Sequence, residues 1–264
     1  MSAIEYRVVG GVAHVLLNRP DKHNALTLDM IDDLADAADR AAKDRSLRAV
    51  ILSGEGPSFC SGLDFASAGQ ERTRIMKNLV PKRRTAANAF QAAGWAWRSV
   101  PVPVIATVKG HCYGGGLQIA LGADFRFAAT DADFSILESK WGLIPDMSLS
   151  ASIAQLTRID VAKRLTMTGE IFTADKALDW GLVTGISANP DLAAEELIEK
   201  IRERSPDAVA ASKSLFEQTW YNGSRLSFPV EQALQVRLLR GRNSAIARKA
   251  GLAKEPPQFT QRQF

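Results

Sequence analysis

A strand-like run at residues 102–108 passes directly into Lys109-Gly-His-Cys-Tyr-Gly-Gly-Gly116, and residues 117–121 (Leu-Gln-Ile-Ala-Leu) then read as helix. A strand that breaks into three glycines and a helix leaves the first N–H groups of that helix unpaired. With no side chains in the way, the backbone there can approach a ligand closely. A flexible turn or tight helix packing would call for the same triplet, so the triplet alone does not choose. The same alternation recurs upstream. Residues 12–17 (VAHVLL) and 48–53 (RAVILS) read as buried strands. Between them Leu28, Ile31, Leu34, Ala38 and Ala42 recur at helical spacing behind Thr27 as an N-cap. Residues 124–128 (DFRFA) supply another strand. Strand–helix–strand alternation at this spacing predicts an α/β core with right-handed crossovers.

Beyond about residue 145 the pattern turns helical. Helix starts are marked by Thr173, Asn189-Pro190 and Ser205-Pro206, and residues 181–186 read as a lone strand. Val230, Leu234 and Leu238 give residues 228–239 an apolar helical stripe. The expected organisation is a core over residues 1–190 and a helical region over 191–264, packed on that core or on a neighbouring subunit. Composition narrows the classes. The 264 residues are 46% hydrophobic and 23% charged, which excludes collagen-like and disordered chains, and two cysteines cannot build a disulfide framework. The apolar run at 100–108 is too short to cross a bilayer and contains Pro101 and Pro103. The first residues, MSAIEYRVVGG, lack an apolar signal region, so a cytoplasmic protein with no membrane partner is expected. Lys and Arg number 33 against 29 Asp and Glu, a net charge of +4 that suits an anionic ligand. No nucleic-acid recognition motif accompanies that charge, so no nucleic-acid partner is expected. His14, His23, His111, Cys60 and Cys112 show no ligand spacing, so no metal is expected.

Two further segments carry chemistry. Ser53-Gly-Glu-Gly-Pro-Ser-Phe-Cys-Ser-Gly-Leu-Asp64 ends a strand in a glycine-rich turn. Facing the triple-glycine helix, it would complete a two-donor oxyanion hole, each donor worth about 2.7–4 kcal/mol to a developing oxyanion. In Phe134-Ser-Ile-Leu-Glu-Ser-Lys-Trp-Gly-Leu-Ile-Pro-Asp146, Glu138 sits among Ile136, Leu137 and Trp141, with Asp146 following. A carboxylate in apolar surroundings has a raised pKa, as a general acid or base requires; a solvent-facing Glu is the alternative. Arg72, Arg74, Lys77, Lys82, Arg83 and Arg84 form a basic run ahead of Phe90, Trp95 and Trp97. It reads either as a solvated helix face followed by a buried one, or as a lid whose charge meets an anionic substrate.

Together these segments resemble the crotonase (enoyl-CoA hydratase/isomerase) superfamily. Asn18-Arg-Pro-Asp-Lys-His-Asn-Ala-Leu26 is similar to its N-R-P…N-A-L signature, and Phe59-Cys-Ser-Gly-Leu-Asp64 to its F-x-[AS]-G-x-D loop. Residues 109–118 resemble its G-x-x-x-G-G-G segment, residues 134–145 its F-x-x-x-E-x-x-x-G-x-x-P stretch, and residues 174–183 its A-x-x-A-x-x-x-G-L-V stretch. The resemblance spans roughly residues 3 to 255. It implies a core built from a spiral of ββα repeats with a helical C-terminal trimerisation region, and a homotrimer or dimer of trimers. It also implies an acyl-CoA substrate, with CoA part of the substrate and no separate cofactor. The thioester oxygen would be held by the N–H groups of Leu63 and Gly115. Arg19, Lys22, Ser61, Asp64 and Lys254 are the residues expected to contact CoA, since Phe65-Ala66 stands where many relatives have a lysine.

The choice of reaction turns on one position. Hydratases of the family use two glutamates; one matches Glu138, but the other position holds Gln118. An amide orients a group but exchanges no proton at neutral pH. The expectation is therefore double-bond isomerisation with Glu138 as acid/base and Asp146 and Gln118 beside it. A 2-enoyl-CoA hydratase of fatty-acid β-oxidation is the first alternative, and a non-catalytic acyl-CoA-binding protein the second.

Overall fold

The structure, a computed structural model, describes residues 3–81 and 86–264. Strands β1 (Ile4–Val9) and β2 (Val12–Leu17) form an antiparallel hairpin, and α1 (Leu28–Lys43) crosses to β3 (Ala49–Gly54). Helices α2 (Phe65–Ala68), α3 (Arg72–Asn78) and α4 (Ala89–Trp95) lead to β4 (Val104–Val108), β5 (His111–Tyr113) and α5 (Gly115–Leu121). Next come β6 (Phe125–Ala129), β7 (Asp133–Ser135), α6 (Leu149–Ile153), α7 (Ile159–Thr168), β8 (Phe172–Thr173), α8 (Ala174–Asp179) and β9 (Gly185–Ser187). Four helices follow: α9 (Pro190–Arg202), α10 (Pro206–Thr219), α11 (Ser224–Leu239) and α12 (Arg242–Ala253).

The main sheet has the order β1-β2-β3-β4-β6-β9, parallel from β2 onward. A second sheet, β5-β7-β8, stands beside it, and the chain passes from one sheet to the other after β4, β5, β6 and β8. Strands 12–17 and helix α1 lie where the apolar periodicity puts them, with the Thr27 side chain accepting from Met30 N at 3.2 Å. The strand expected at 102–108 starts only at Val104, because Pro101 and Pro103 hold the preceding residues out of the ladder. The strand expected at 181–186 is shorter and later, Gly185–Ser187.

One face of the main sheet is covered by α1 and α4, with Leu17, Leu34, Leu52 and Trp97 fully buried. The other face is covered by α9, whose Ala194 and Ile198 pack on Val12, Ala49, Ile51 and Ile105. The caps expected at Asn189 and Ser205 form, accepting from Leu192 N and Ala208 N; Thr173 precedes α8 without a side-chain cap. Beyond α9 the chain is anchored through buried polar groups. Lys213 donates to Asp124 at 2.7 Å and to the carbonyls of Trp97 and Val102. Asp207, buried in α10, accepts from Asn243 Nδ2 and from the N–H groups of Gln263 and Phe264. Asp207→Ala removes the charged acceptor shared by three donors, of which the buried Asn243 keeps only Gln261 O as a partner for its Nδ2. The expected cost is about 3 kcal/mol, read as a lower urea midpoint at unchanged slope.

Candidate active site

The turn after β2 carries the first motif, and its asparagine explains the spacing. Asn24 is fully buried with φ of 54°, a left-handed conformation that asparagine tolerates. Its Oδ1 accepts from Arg19 N at 2.8 Å, and its Nδ2 donates to the carbonyls of Glu55 and Ser58 at 2.9 and 2.7 Å. One side chain thus ties the β2 exit to the loop after β3. Arg19 completes the tie, donating to Ala25 O and pairing with Asp64 at 3.1 Å. Asp64 also accepts from Ser67 N and caps α2, and these bonds with Arg19 hold its carboxyl below the ordinary range.

Residues 60–64 are then threaded between two neighbours. Leu26 N donates to Gly62 O at 2.8 Å, and Asp64 N to Leu26 O at 2.9 Å. Cys60 exchanges bonds with β5, its N–H donating to His111 O and its carbonyl accepting from Tyr113 N. The N–H of Leu63, between these anchors, meets no acceptor among the described residues. Directly opposite, Gly114 has φ of 51° and ψ of −120°, a region open to glycine alone. That conformation starts α5 at Gly115, two residues earlier than the sequence suggests, and leaves the Gly115 N–H at the first helical position without an intrahelical acceptor. The two loops touch: a Cβ on Gly62 would lie 3.2 Å from Tyr113 O and 3.8 Å from Gly115 N.

Glu138 begins the single 3-10 turn after β7, with its carboxyl against the glycine triplet; a Cβ on Gly114 would lie 3.4 Å from Glu138 Oε1. Gln118, buried in α5, donates from Nε2 to Glu138 Oε1 at 2.6 Å. The amide orientation follows from its other end, where Oε1 accepts from Met147 N at 2.8 Å. Glu138 Oε2 is buried and has no hydrogen-bond partner. Burial pushes the Glu138 carboxyl above its ordinary range, its own backbone N–H and then the Gln118 bond draw it back, and the nearby Asp146 charge adds to the rise. Asp146, an exposed residue that lines the same cavity as Glu138, is raised as well, by partial desolvation of its carboxyl.

Glu138, Asp146, Ser61, Leu63 and Gly115 line one cavity of about 460 Å³. The rest of its wall is apolar: Phe65, Ile75, Leu79, Phe90, Leu137, Trp141, Leu143, Ile144 and Met147 take part. Phe65 and Trp141 pack at the rim with ring centroids 4.6 Å apart. No Lys or Arg among the described residues lines it. The expected acid and donor residues are therefore brought together, while the residues expected to contact CoA are only partly so. Arg19 and Asp64 pair with each other at 3.1 Å and brace the donor loop, and neither lines the cavity. Ser61 lines the cavity; Lys22 and Lys254 are exposed and do not.

The expected lid resolves differently along its length. Arg74 is held by Asp29 at 2.7 Å, Asp32 at 2.9 Å and Glu71 at 3.1 Å, which fastens α3 to α1. Residues 82–85, with Lys82, Arg83 and Arg84, lie outside the described residues. Trp97 is core, donating to Ala93 O at 3.0 Å, and neither it nor Trp95 lines the cavity. The sequence reading missed Ile75, on α3, and Leu79, just past its end; their four-residue spacing in a mostly polar segment was the available signal. His111 pairs with Asp133 rather than with Cys112, and both cysteines are buried free thiols. Burial drives Cys60 up to about 12, so these thiols are packing groups.

Comparison with known proteins decides the family. A family model described as enoyl-CoA hydratase/isomerase matches residues 7–262. The chain belongs to the enoyl-CoA hydratase/isomerase family. Within this family it is 28% identical over 255 residues to the peroxisomal Delta(3,5)-Delta(2,4)-dienoyl-CoA isomerase of Arabidopsis thaliana, covering 87% of this chain and 90% of the relative. It is 33% identical over 223 residues to the mitochondrial enzyme of that name from Mus musculus, covering 76% of this chain but 64% of the mouse protein. An (E)-benzylidenesuccinyl-CoA hydratase of Thauera aromatica is 32% identical over 221 residues, with 80% of each chain covered. The fold agrees: the crystal structure of an enoyl-CoA hydratase from a Polaromonas species superposes with a TM-score of 0.86 at 28% identity, covering 98% of this chain and 100% of that one. Among the described residues no helix is long and apolar enough to cross a membrane, and no cluster of side chains suits a metal ion.

Proposed function

We propose that the protein shifts the double bond of an unsaturated acyl-CoA thioester. Glu138 is the proton carrier, and the N–H groups of Leu63 and Gly115 hold the thioester oxygen. One observation carries the reading. A raised-pKa carboxylate with a free oxygen shares a small cavity with two unpaired N–H groups, and the residue beside it is an amide. In a 3-enoyl thioester, Glu138 Oε2 takes the proton from C2 and the electron pair moves onto the thioester oxygen as a dienolate. The two donors stabilise that charge as it develops. The proton then returns to C4, leaving a 2-enoyl thioester of the same mass. Asp146, also raised, is the second group able to hold a proton on the way. The apolar wall suits the acyl chain, and CoA, as part of the substrate, supplies the activated carbonyl without a metal or further cofactor. Its phosphates lie outside the cavity on this reading, where Lys22 and Lys254 remain candidates.

Water addition to a 2-enoyl thioester is the second reading, favoured by the identity to the Thauera hydratase. The two separate cleanly. Incubation with 2-enoyl-, 3-enoyl- and 3,5-dienoyl-CoA, followed by ultraviolet absorbance and mass, should give products of unchanged mass from the 3-enoyl or dienoyl substrates. A dominant product heavier by one water rejects isomerisation. No change with any thioester, together with acyl-CoA binding, would favour the non-catalytic reading.

The proposed assembly is a homotrimer or a dimer of trimers, built through the helical C-terminal region. Support comes from large apolar side chains left exposed on α10 to α12, including Phe216, Trp220, Phe228 and Leu252. The cytoplasm is the proposed compartment.

A further inference from the structure

Among the described residues, Gln118 is the one polar side chain bonded to Glu138, and both ends of its amide are committed. Met147 N–H holds its oxygen, so only its NH2 group can face the carboxylate. A fully buried amide held this way cannot swing out to take a water or a substrate group, the role that the sequence alone suggested for it. Its effect falls on the carboxylate instead. Oε1 is occupied at 2.6 Å and Oε2 is buried and free. We propose that Gln118 is a positioning residue that locks Glu138 Oε1 through the Met147 N–H and leaves Oε2 as the single oxygen that carries the proton. This rests on the isomerase reading and adds a selection: the site moves one proton along the acyl chain and does not orient a water for attack. Two-carboxylate hydration needs a second proton acceptor beside the water, and here that place holds a donor fastened in the wrong sense to accept.

The charged group facing Glu138 from elsewhere is Asp146, on the loop that follows the 3-10 turn. Gln118 opposes it, because its hydrogen bond favours the ionised form of Glu138. Two variants test the assignment. Gln118→Leu removes the bond and leaves Glu138 free to rotate. The expected result is a kcat lower by about 10- to 100-fold, a KM within about twofold, and an acid limb of kcat/KM displaced to higher pH. Gln118→Glu keeps the volume and still accepts from the Met147 N–H, but its ionised carboxylate would set an acceptor against Glu138, where the bond needs a donor. The two acids then share a proton, the acid limb moves up further, and the second carboxylate so supplied should raise water addition to a 2-enoyl thioester above that of the wild type. The Glu138 carboxyl is also titrated by carbon-13 NMR in the wild type and both variants, a readout independent of turnover. A Glu138 titration unchanged in both variants overturns the proposal, as does rapid water addition to a 2-enoyl thioester by the wild-type protein. Wild-type protein that isomerises no thioester and exchanges no α-proton of a saturated acyl-CoA with heavy water defeats the isomerase reading instead. The NMR titration still decides whether Gln118 holds Glu138.

Discussion

Glu138→Gln should lower turnover by about three orders of magnitude, within the range general acid–base groups supply, while acyl-CoA binding stays within a few-fold. An amide at 138 still accepts from Gln118 Nε2, so the geometry of the turn survives and only the proton carrier is lost. Calorimetry with a non-reactive acyl-CoA, run beside the kinetic assay, separates the two effects. Near-normal turnover would remove Glu138 from the mechanism. The same substitution should raise stability at neutral pH. Glu138 is shifted upward in the folded state, so its charged form costs folding free energy above the folded pKa. That cost disappears as pH falls below the unfolded value, and the variant lacks it throughout. The thermal gain should therefore be present at pH 7 and absent at pH 4. A gain equal at both values would mean that the buried charge is not its source. Acidification also protonates Glu138, so wild-type activity should fall along an acid limb set above the ordinary glutamate range.

Gly116→Ala is expected to strike stability and chemistry together. A Cβ at that position would sit 2.6 Å from both the Cβ and the carbonyl oxygen of Cys60, and 2.9 Å from its sulfur. The Cys60 carbonyl cannot retreat freely because it accepts from Tyr113 N, and the Cys60 N–H is tied to His111 O. Overpacking against backbone so held should cost about 3 kcal/mol or more. Relief requires the β5–α5 corner to move away from residues 60–64, which separates the Leu63 and Gly115 N–H groups. Losing one correctly aimed donor lowers kcat by about 100- to 1,000-fold. Urea unfolding and kcat should fall together. A variant of normal kcat would mean that these two loops do not jointly hold the reacting oxygen.

Much of this was legible from the chain alone, for reasons particular residues make plain. Helix α1 is written in its own spacing, with Leu28, Ile31 and Leu34 on one face and Thr27 at its start, and needs no distant partner to be read. Glu138 showed itself through apolar neighbours in sequence that are also its neighbours in space. What could not be read depends on side chains far apart in the chain. Nothing near Arg19 announces that its charge meets Asp64, 45 residues on. Nothing near Gln118 announces Met147 N–H as the group that turns its amide. The Arg74 cluster with Asp29 and Asp32 likewise arises only when α3 is laid against α1. Local periodicity names the elements, while the partner of each polar group is set by packing.

The crossovers of the main sheet bear on when reactivity can appear. Leu63 follows β3, Gly115 follows β4 and β5, and Glu138 follows β7, so donor, donor and base arrive on three successive windings of the chain. A chain folded only through β4 would own one donor and no base. Parallel pairing between distant segments is slow to nucleate, because loop closure precedes the contacts that reward it. On the proposed mechanism a partly wound chain would be chemically silent: proton transfer waits for the winding that carries Glu138.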